Sequence, residues 1–156
     1  MHVAPLILVA CGGFLLAVLW LDLMFDVQVL RYRGAAELPE PVLESIAAYY
    51  RRVTTTASPM GRLIGVVMLT ALIVLGVEIA TDPSRRGMNL ISLVLCAVPV
   101  VLGLFRVFPN AVRLGTRRDT IAEQSALARS ICAEHLFCFA GILGFVVVQL
   151  IGARHF

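Results

Sequence analysis

Ionisable side chains at the ends of apolar segments are the residues of this sequence that could do chemistry. Asp22 and Asp26 interrupt the first apolar run, "LWLDLMFDVQVL" (19–30), four residues apart. Four residues are about one helical turn, so both carboxylates lie on one helix face. Four further ionisable residues lie near one end of the later apolar segments: Arg62, Arg106, Glu134 and His135. The acids and the imidazole could act as general acids and bases, while an arginine could bind anionic parts of a substrate.

Metal and haem chemistry fit this set poorly. Glu134 and His135 are neighbours, about 100° apart around a helix, so they rarely face one ion together, and we expect no metal site. The spacing Cys132-x2-His135-x2-Cys138 lacks the second ligand pair of a structural zinc site. His135 is the only histidine within an apolar segment, so a haem with two histidine ligands would need a second chain. The sequence therefore does not identify a cofactor.

Composition identifies the class of protein. The 156 residues are 60% hydrophobic and 15% charged, whereas soluble domains are about 45–50% apolar and about 25% charged. Crossing a bilayer core takes about 20 helical residues, and stretches of that length lie near 4–25, 61–80, 88–108 and 131–151. We therefore predict an all-α integral membrane protein, a four-transmembrane-helix bundle in which residues 1–156 form a single membrane domain.

The distribution of arginine predicts the orientation. The two connections that follow the first and third spans, with the adjoining span ends, hold ten of the thirteen arginines, and the opposite side holds Arg85, Arg86 and Arg154. Because positive charge favours the cytoplasmic side, we expect both Arg-rich connections in the cytoplasm and both termini outside, in a bacterial inner membrane. A net charge of +3 without a basic binding module excludes nucleic acid as a partner.

Both Arg-rich connections have helical patterns. In "PEPVLESIAAYYRRV" (39–53), prolines suit a first turn and an apolar stripe includes Tyr50, so we expect an amphipathic helix near 40–55. A second helix is expected near 116–130 and continues without a breaker into the fourth span. Thr116 and Asp119 stand at the spacing of a capping box at its start.

Aligned by depth, the chemistry-bearing residues of all four spans fall into one polar layer at the cytoplasmic edge. Two interpretations stand. Ion pairs could anchor the helices at their depth, which Trp20 beside Asp22 supports because tryptophan favours the headgroup level. Alternatively, costly intramembrane charges could line a functional cavity. We expect Asp22 and Asp26 to face partners inside the bundle, with anchoring as their purpose. The middle of the spans holds little beyond Thr70, Ser92 and Cys96, which argues against an ion carrier.

Small residues at helical spacing favour association between helices. Gly61 and Gly65 form a GxxxG pair in the second span, and Ala140 and Gly144 repeat the spacing in the fourth. The leading hypothesis is therefore an accessory or assembly subunit, or a homo-oligomer, of an inner-membrane complex, in contact with membrane lipids and a protein partner or itself. The alternative is a membrane enzyme acting on a quinone, polyketide or lipid, through a cavity lined by the polar layer. Whether the chain is an enzyme is left open.

Overall fold

A computed structural model describes residues 3–56 and 58–153. Arg154, used above for orientation, lies outside these residues. The described chain is 90% helix and contains four helices that are long and apolar enough to cross a membrane. The predicted fold class, an all-α membrane bundle with four transmembrane helices, is confirmed.

Six α-helices follow one another in the described residues. At the Arg-rich end, the first and third transmembrane segments continue past their α-helix in further helical turns, and the fourth begins before its predicted span. The bounds are α1 Val3–Asp26 with a 3-10 continuation Val27–Tyr32, α2 Glu40–Arg51 with a π turn Arg52–Thr56, α3 Ser58–Thr81, α4 Arg86–Leu102 with a π turn Gly103–Val107, α5 Phe108–Thr116, and α6 Ile121–Ala153.

The membrane half of the bundle has an apolar core between α1, α3, α4 and α6, which includes Leu8, Leu75 and Phe145. Glycine allows two close helix approaches here. Gly12 of α1 lies against Phe145 of α6, and a Cβ atom at Gly141 would stand 2.8 Å from the Pro99 ring of α4. Close van der Waals contact of this kind is what holds transmembrane helices together.

The Arg-rich end has a core of its own. α2 and α5 pack on each other and on the first turns of α6, and together these segments form the cap. Its centre contains Leu43, Ile46, Leu114 and Ile131, each fully buried. A Cβ atom at Gly115 of α5 would lie 3.0 Å from the backbone nitrogen of Arg51, so the two cap helices are in close contact.

The predicted capping box at Thr116 and Asp119 is wrong by one turn. The chain reverses at Arg117, in the left-handed region at φ 53°, and α6 begins at Ile121. The capping box that forms is Thr120 with Glu123: the Thr120 amide donates to the Glu123 carboxylate at 3.0 Å. Asp119 instead accepts two hydrogen bonds from Arg113. From that start, α6 runs unbroken for 33 residues, about 50 Å.

Candidate functional site

Five polar side chains from three helices meet beneath the cap, and we name this group the Asp–His cluster. Asp22 and Asp26 come from the last two turns of α1, where their spacing puts both carboxylates on the inner face. Tyr49 and Tyr50 come from the last turn of α2. His135 comes from α6, so the cluster joins distant parts of the chain: Asp26 and His135 are 109 positions apart.

The hydrogen bonds of the Asp–His cluster are short. The Tyr50 hydroxyl donates to Asp26 Oδ1 at 2.6 Å, and the other oxygen of Asp26 lies 2.6 Å from His135 Nδ1. A carboxylate accepts, so His135 donates its Nδ1 proton to Asp26. On the other side of the imidazole, Nε2 lies 3.8 Å from Asp22 Oδ2, and Asp22 accepts a 2.6 Å hydrogen bond from Tyr49. The imidazole thus stands between two carboxylates, each of which also accepts from a tyrosine.

Burial is deepest on one side of the Asp–His cluster. Asp26 is 0% exposed, Tyr50 2% and His135 5%, whereas the side chain of Asp22 retains 16% exposure. Burial, followed by the charge of the adjacent carboxylate, raises the pKa of the Tyr50 hydroxyl far above its ordinary value of 10.0. The same causes raise the pKa of Tyr49. Both tyrosines therefore remain donors at any physiological pH.

A second set of contacts supports the junction between α1 and α2. The ring of Phe25 stacks on Tyr49 with centroids 4.2 Å apart and planes 10° apart. Gln28 donates to Ser45 Oγ at 3.2 Å. The end of α1 and the whole of α2 are thereby held in one register, which fixes the position of both tyrosine hydroxyls.

The structure brings together three of the six residues of the predicted polar layer: Asp22, Asp26 and His135. Glu134 points to a different side of α6, where it pairs with Arg106 at 3.0 Å and accepts from Ser130. Arg62 is exposed on α3 and contributes no contact to the cluster in the described part of the chain. The predicted layer thus divides into the Asp–His cluster, the pair of Arg106 with Glu134, and Arg62 by itself.

Sequence reasoning did not assign Tyr49 and Tyr50 to the site. The apolar stripe of α2 indicated that Tyr50 is buried, and a buried tyrosine hydroxyl usually has a hydrogen-bond partner. That signal could have linked Tyr50 to the carboxylates. Nothing comparable exists for Tyr49, whose ring is half-buried and whose partner depends on how α2 docks.

The Asp–His cluster is largely enclosed by protein: Asp26, Tyr50 and His135 are buried, and Asp22 retains a small exposed fraction. Two surface cavities of about 250 and about 290 Å³ lie at the Arg-rich end, and the residues that line them do not include any member of the cluster. Within residues 3–56 and 58–153, no group of three or more histidines, cysteines or carboxylates is arranged to hold a metal ion. As built, the cluster joins α1, α2 and α6 through ion pairs and hydrogen bonds.

A smaller polar group, the amide cluster, lies at the opposite end of the bundle. Gln149 of α6 donates to Ser92 of α4 at 2.8 Å, and Asn89 is buried one turn from Ser92. Among the described residues, Asn89 Nδ2 and Gln149 Oε1 have no hydrogen-bond partner. Of these three residues, only Ser92 was recognised from the sequence as a polar group within a span.

Comparison with known proteins adds no assignment: no family model, curated protein or solved structure matches the chain.

Proposed function

We propose that this chain is a small polytopic membrane protein that acts by association, as an accessory or assembly subunit or a homo-oligomer of a bacterial inner-membrane complex. The outward face of α3 is the contact surface. The observation that carries the proposal is the position of the GxxxG pair Gly61 and Gly65: nothing lies within 4 Å of a Cβ atom built on either glycine. The small-residue motif is therefore not used for packing inside this chain.

The contact surface continues along α3. Gly65, Leu69, Ile73 and Gly76 follow at intervals of three or four residues, so they share one face of the helix. Leu69 and Ile73 are more than half exposed, and the space above Gly76 is open. The α3 segment is also the least buried of the four spans, at 11%.

Lipid does not require this arrangement. Acyl chains solvate leucine as well as glycine, whereas two helices approach closely only where small residues leave room for the backbones. A glycine ridge flanked by large apolar side chains suits a second transmembrane helix, from another copy or another subunit. The Arg-rich end would then lie in the cytoplasm, as its excess of arginine favours.

The alternative, an enzyme acting on a quinone, polyketide or lipid, has less support. It requires a cavity lined by Asp22, Asp26 or His135, through which a substrate reaches a proton donor or acceptor. These three side chains satisfy one another, and the two cavities at the Arg-rich end are lined by other residues. The cluster therefore suits a fixed junction better than a reaction centre.

The test is the mass of the protein purified in a mild detergent, measured by native mass spectrometry. We expect an assembly heavier than the 16.9 kDa chain, either a multiple of it or a complex with other subunits. Replacing both glycines of the pair, Gly61→Leu and Gly65→Leu, should dissociate the assembly because the backbones can no longer approach.

Gly13→Leu is the matched control, since Gly13 of α1 has equally open space above its Cβ position but lies on another helix. This variant should retain the assembly. A stable monomer of the unaltered chain, or equal dissociation of the α3 and control variants, would refute the proposal.

A further inference from the structure

We propose that the groove between the end of α1 and α6 is a binding site for an anionic phospholipid. The groove has a volume of about 250 Å³ at the Arg-rich end of the bundle. Its apolar wall includes Val29, Leu30 and Leu136, and two guanidinium groups, those of Arg33 and Arg129, stand at its rim. This site is independent of the α3 surface and of the Asp–His cluster.

The two arginines of the groove have no carboxylate partner among the described residues. Among the described residues, neither Arg33 nor Arg129 forms a salt bridge to a carboxylate, although Arg106, Arg113 and Arg117 all do. Two uncompensated guanidinium groups beside an apolar wall attract a ligand that carries negative charge and apolar chains.

Arg129 is held in place before any ligand binds. Its guanidinium donates to the backbone carbonyls of Ala35 at 2.7 Å and Ala36 at 3.2 Å. These acceptors are neutral, so they fix the position of the side chain without cancelling its charge. Arg33 is exposed and lines the same groove. Two arginines beside one groove are a suitable pair for a phosphodiester.

The order of residues along α6 matches the order of groups in a phospholipid. Arg129 precedes Leu136 by seven residues, about 10 Å along the helix axis toward the membrane interior. Ala133 lies between them on the groove wall and leaves room for a chain. A phosphate at the arginines would therefore send its acyl chains along Ala133 and Leu136 into the bilayer. Basic pockets between transmembrane helices bind anionic headgroups in this way.

The experiment measures lipid binding to the purified full chain by native mass spectrometry. The probes are dioleoylphosphatidylglycerol and dioleoylphosphatidylcholine at equal concentrations. We expect phosphatidylglycerol to bind more tightly, and Arg33→Gln to weaken it about fivefold, because one arginine near a lipid surface contributes about 1 kcal/mol. The control is Arg118→Gln, an exposed arginine at the same end of the bundle but outside the groove, which should leave binding unchanged.

Three results would overturn the proposal. The two lipids could bind equally, which would show that charge is not recognised. Arg33→Gln and Arg118→Gln could weaken binding equally, which would place the effect in the general charge of this end. Millimolar inorganic phosphate could displace phosphatidylglycerol, which would make this a site for free phosphate instead of lipid. Because Arg33 is exposed, its replacement leaves folding intact, and a failed association test at α3 does not affect these outcomes.

Discussion

The two polar clusters of this bundle each have a fully buried member and are built from different chemistry. In the Asp–His cluster, Asp26 is 0% exposed, and in the amide cluster Gln149 is also 0% exposed. The first contains two carboxylates and an imidazole, covered by the cap helix α2. The second contains amides and a hydroxyl between α4 and α6, without a cap. The charged groups of the Asp–His cluster lie where an additional helix supplies hydrogen-bond donors, and the amide cluster consists of neutral groups between two spans.

The two clusters also differ in how completely their polar atoms are hydrogen-bonded. Asp22 and Asp26 each accept from a tyrosine and face the imidazole, whereas Gln149 Oε1 and Asn89 Nδ2 have no partner among the described residues. An unpaired neutral group costs far less than an unpaired buried charge. Incomplete pairing therefore costs less in the amide cluster than it would in the Asp–His cluster.

The largest expected effect comes from removing a charge from the middle of the Asp–His cluster. Asp26→Ala leaves His135 and the Tyr50 hydroxyl without their acceptor in a buried site. We expect the free energy of unfolding to fall by about 3–5 kcal/mol, as for one partner of a buried ion pair. Thermal and denaturant unfolding in detergent measure it. Glu44→Ala, at an exposed position of α2, should change it by less than about 0.5 kcal/mol. A loss below about 1 kcal/mol for Asp26→Ala would make the two clusters equivalent.

A second prediction concerns alkaline pH, which acts on the tyrosines of the Asp–His cluster and on no group of the amide cluster. Tyr49 and Tyr50 have a pKa raised above the ordinary 10.0, so they stay protonated in the folded state while the unfolded chain ionises. The folded state then binds more protons, and stability falls as the pH rises above about 10, by up to about 1.4 kcal/mol per pH unit for each tyrosine. Below that pH neither tyrosine contributes a slope.

Unfolding measured between pH 8 and pH 11 tests this. The double variant Tyr49→Phe with Tyr50→Phe should be less stable at pH 8 and should lose the part of the alkaline slope that the two hydroxyls contribute. An unchanged slope in the double variant would show that these hydroxyls are not the groups responsible, and it would remove the distinction between the two ends of the bundle.

The smallest effect is expected at the amide cluster. Ser92→Ala removes the acceptor of the Gln149 amide and should cost about 1 kcal/mol, the net value of a neutral hydrogen bond. Gln149→Leu leaves the Ser92 hydroxyl without this donor and should cost a similar amount, whereas the double variant Ser92→Ala with Gln149→Leu should be nearly neutral because both partners become apolar. The same unfolding measurements apply. A cost for Gln149→Leu as large as that for Asp26→Ala would contradict the proposed difference.

The fold class was predictable because long apolar runs have one stable solution in a bilayer, in which every backbone group is paired within a helix. That Asp22, Asp26 and His135 lie at one level of the bundle was predictable for a related reason, since position along a span gives position across the membrane. The hydrogen-bond partners of these residues were not predictable. Tyr49 reaches Asp22 only because residues 33–39 return α2 over the end of α1, and no local pattern encodes that path.

Local signals were also ambiguous where two of them competed. Thr116 and Thr120 both precede an acid by three residues, and the left-handed turn at Arg117 decides that Thr120 begins the helix. Glycine spacing was similarly insufficient. Gly12 and Gly141 mediate close contacts inside the bundle, whereas the better-known motif at Gly61 and Gly65 faces outward. The sequence shows where a helix can be approached closely, but it does not show which neighbouring helix makes the contact.

The distance along the chain between Asp26 and His135 has a consequence for how the protein is made. The two residues are 109 positions apart, and His135 belongs to the fourth of the described spans. At about 5–20 residues per second, the first span waits on the order of 5–20 s for its imidazole. The contact between α1 and α6 therefore forms only after α6 has been synthesised, and until then the two carboxylates are without their histidine partner.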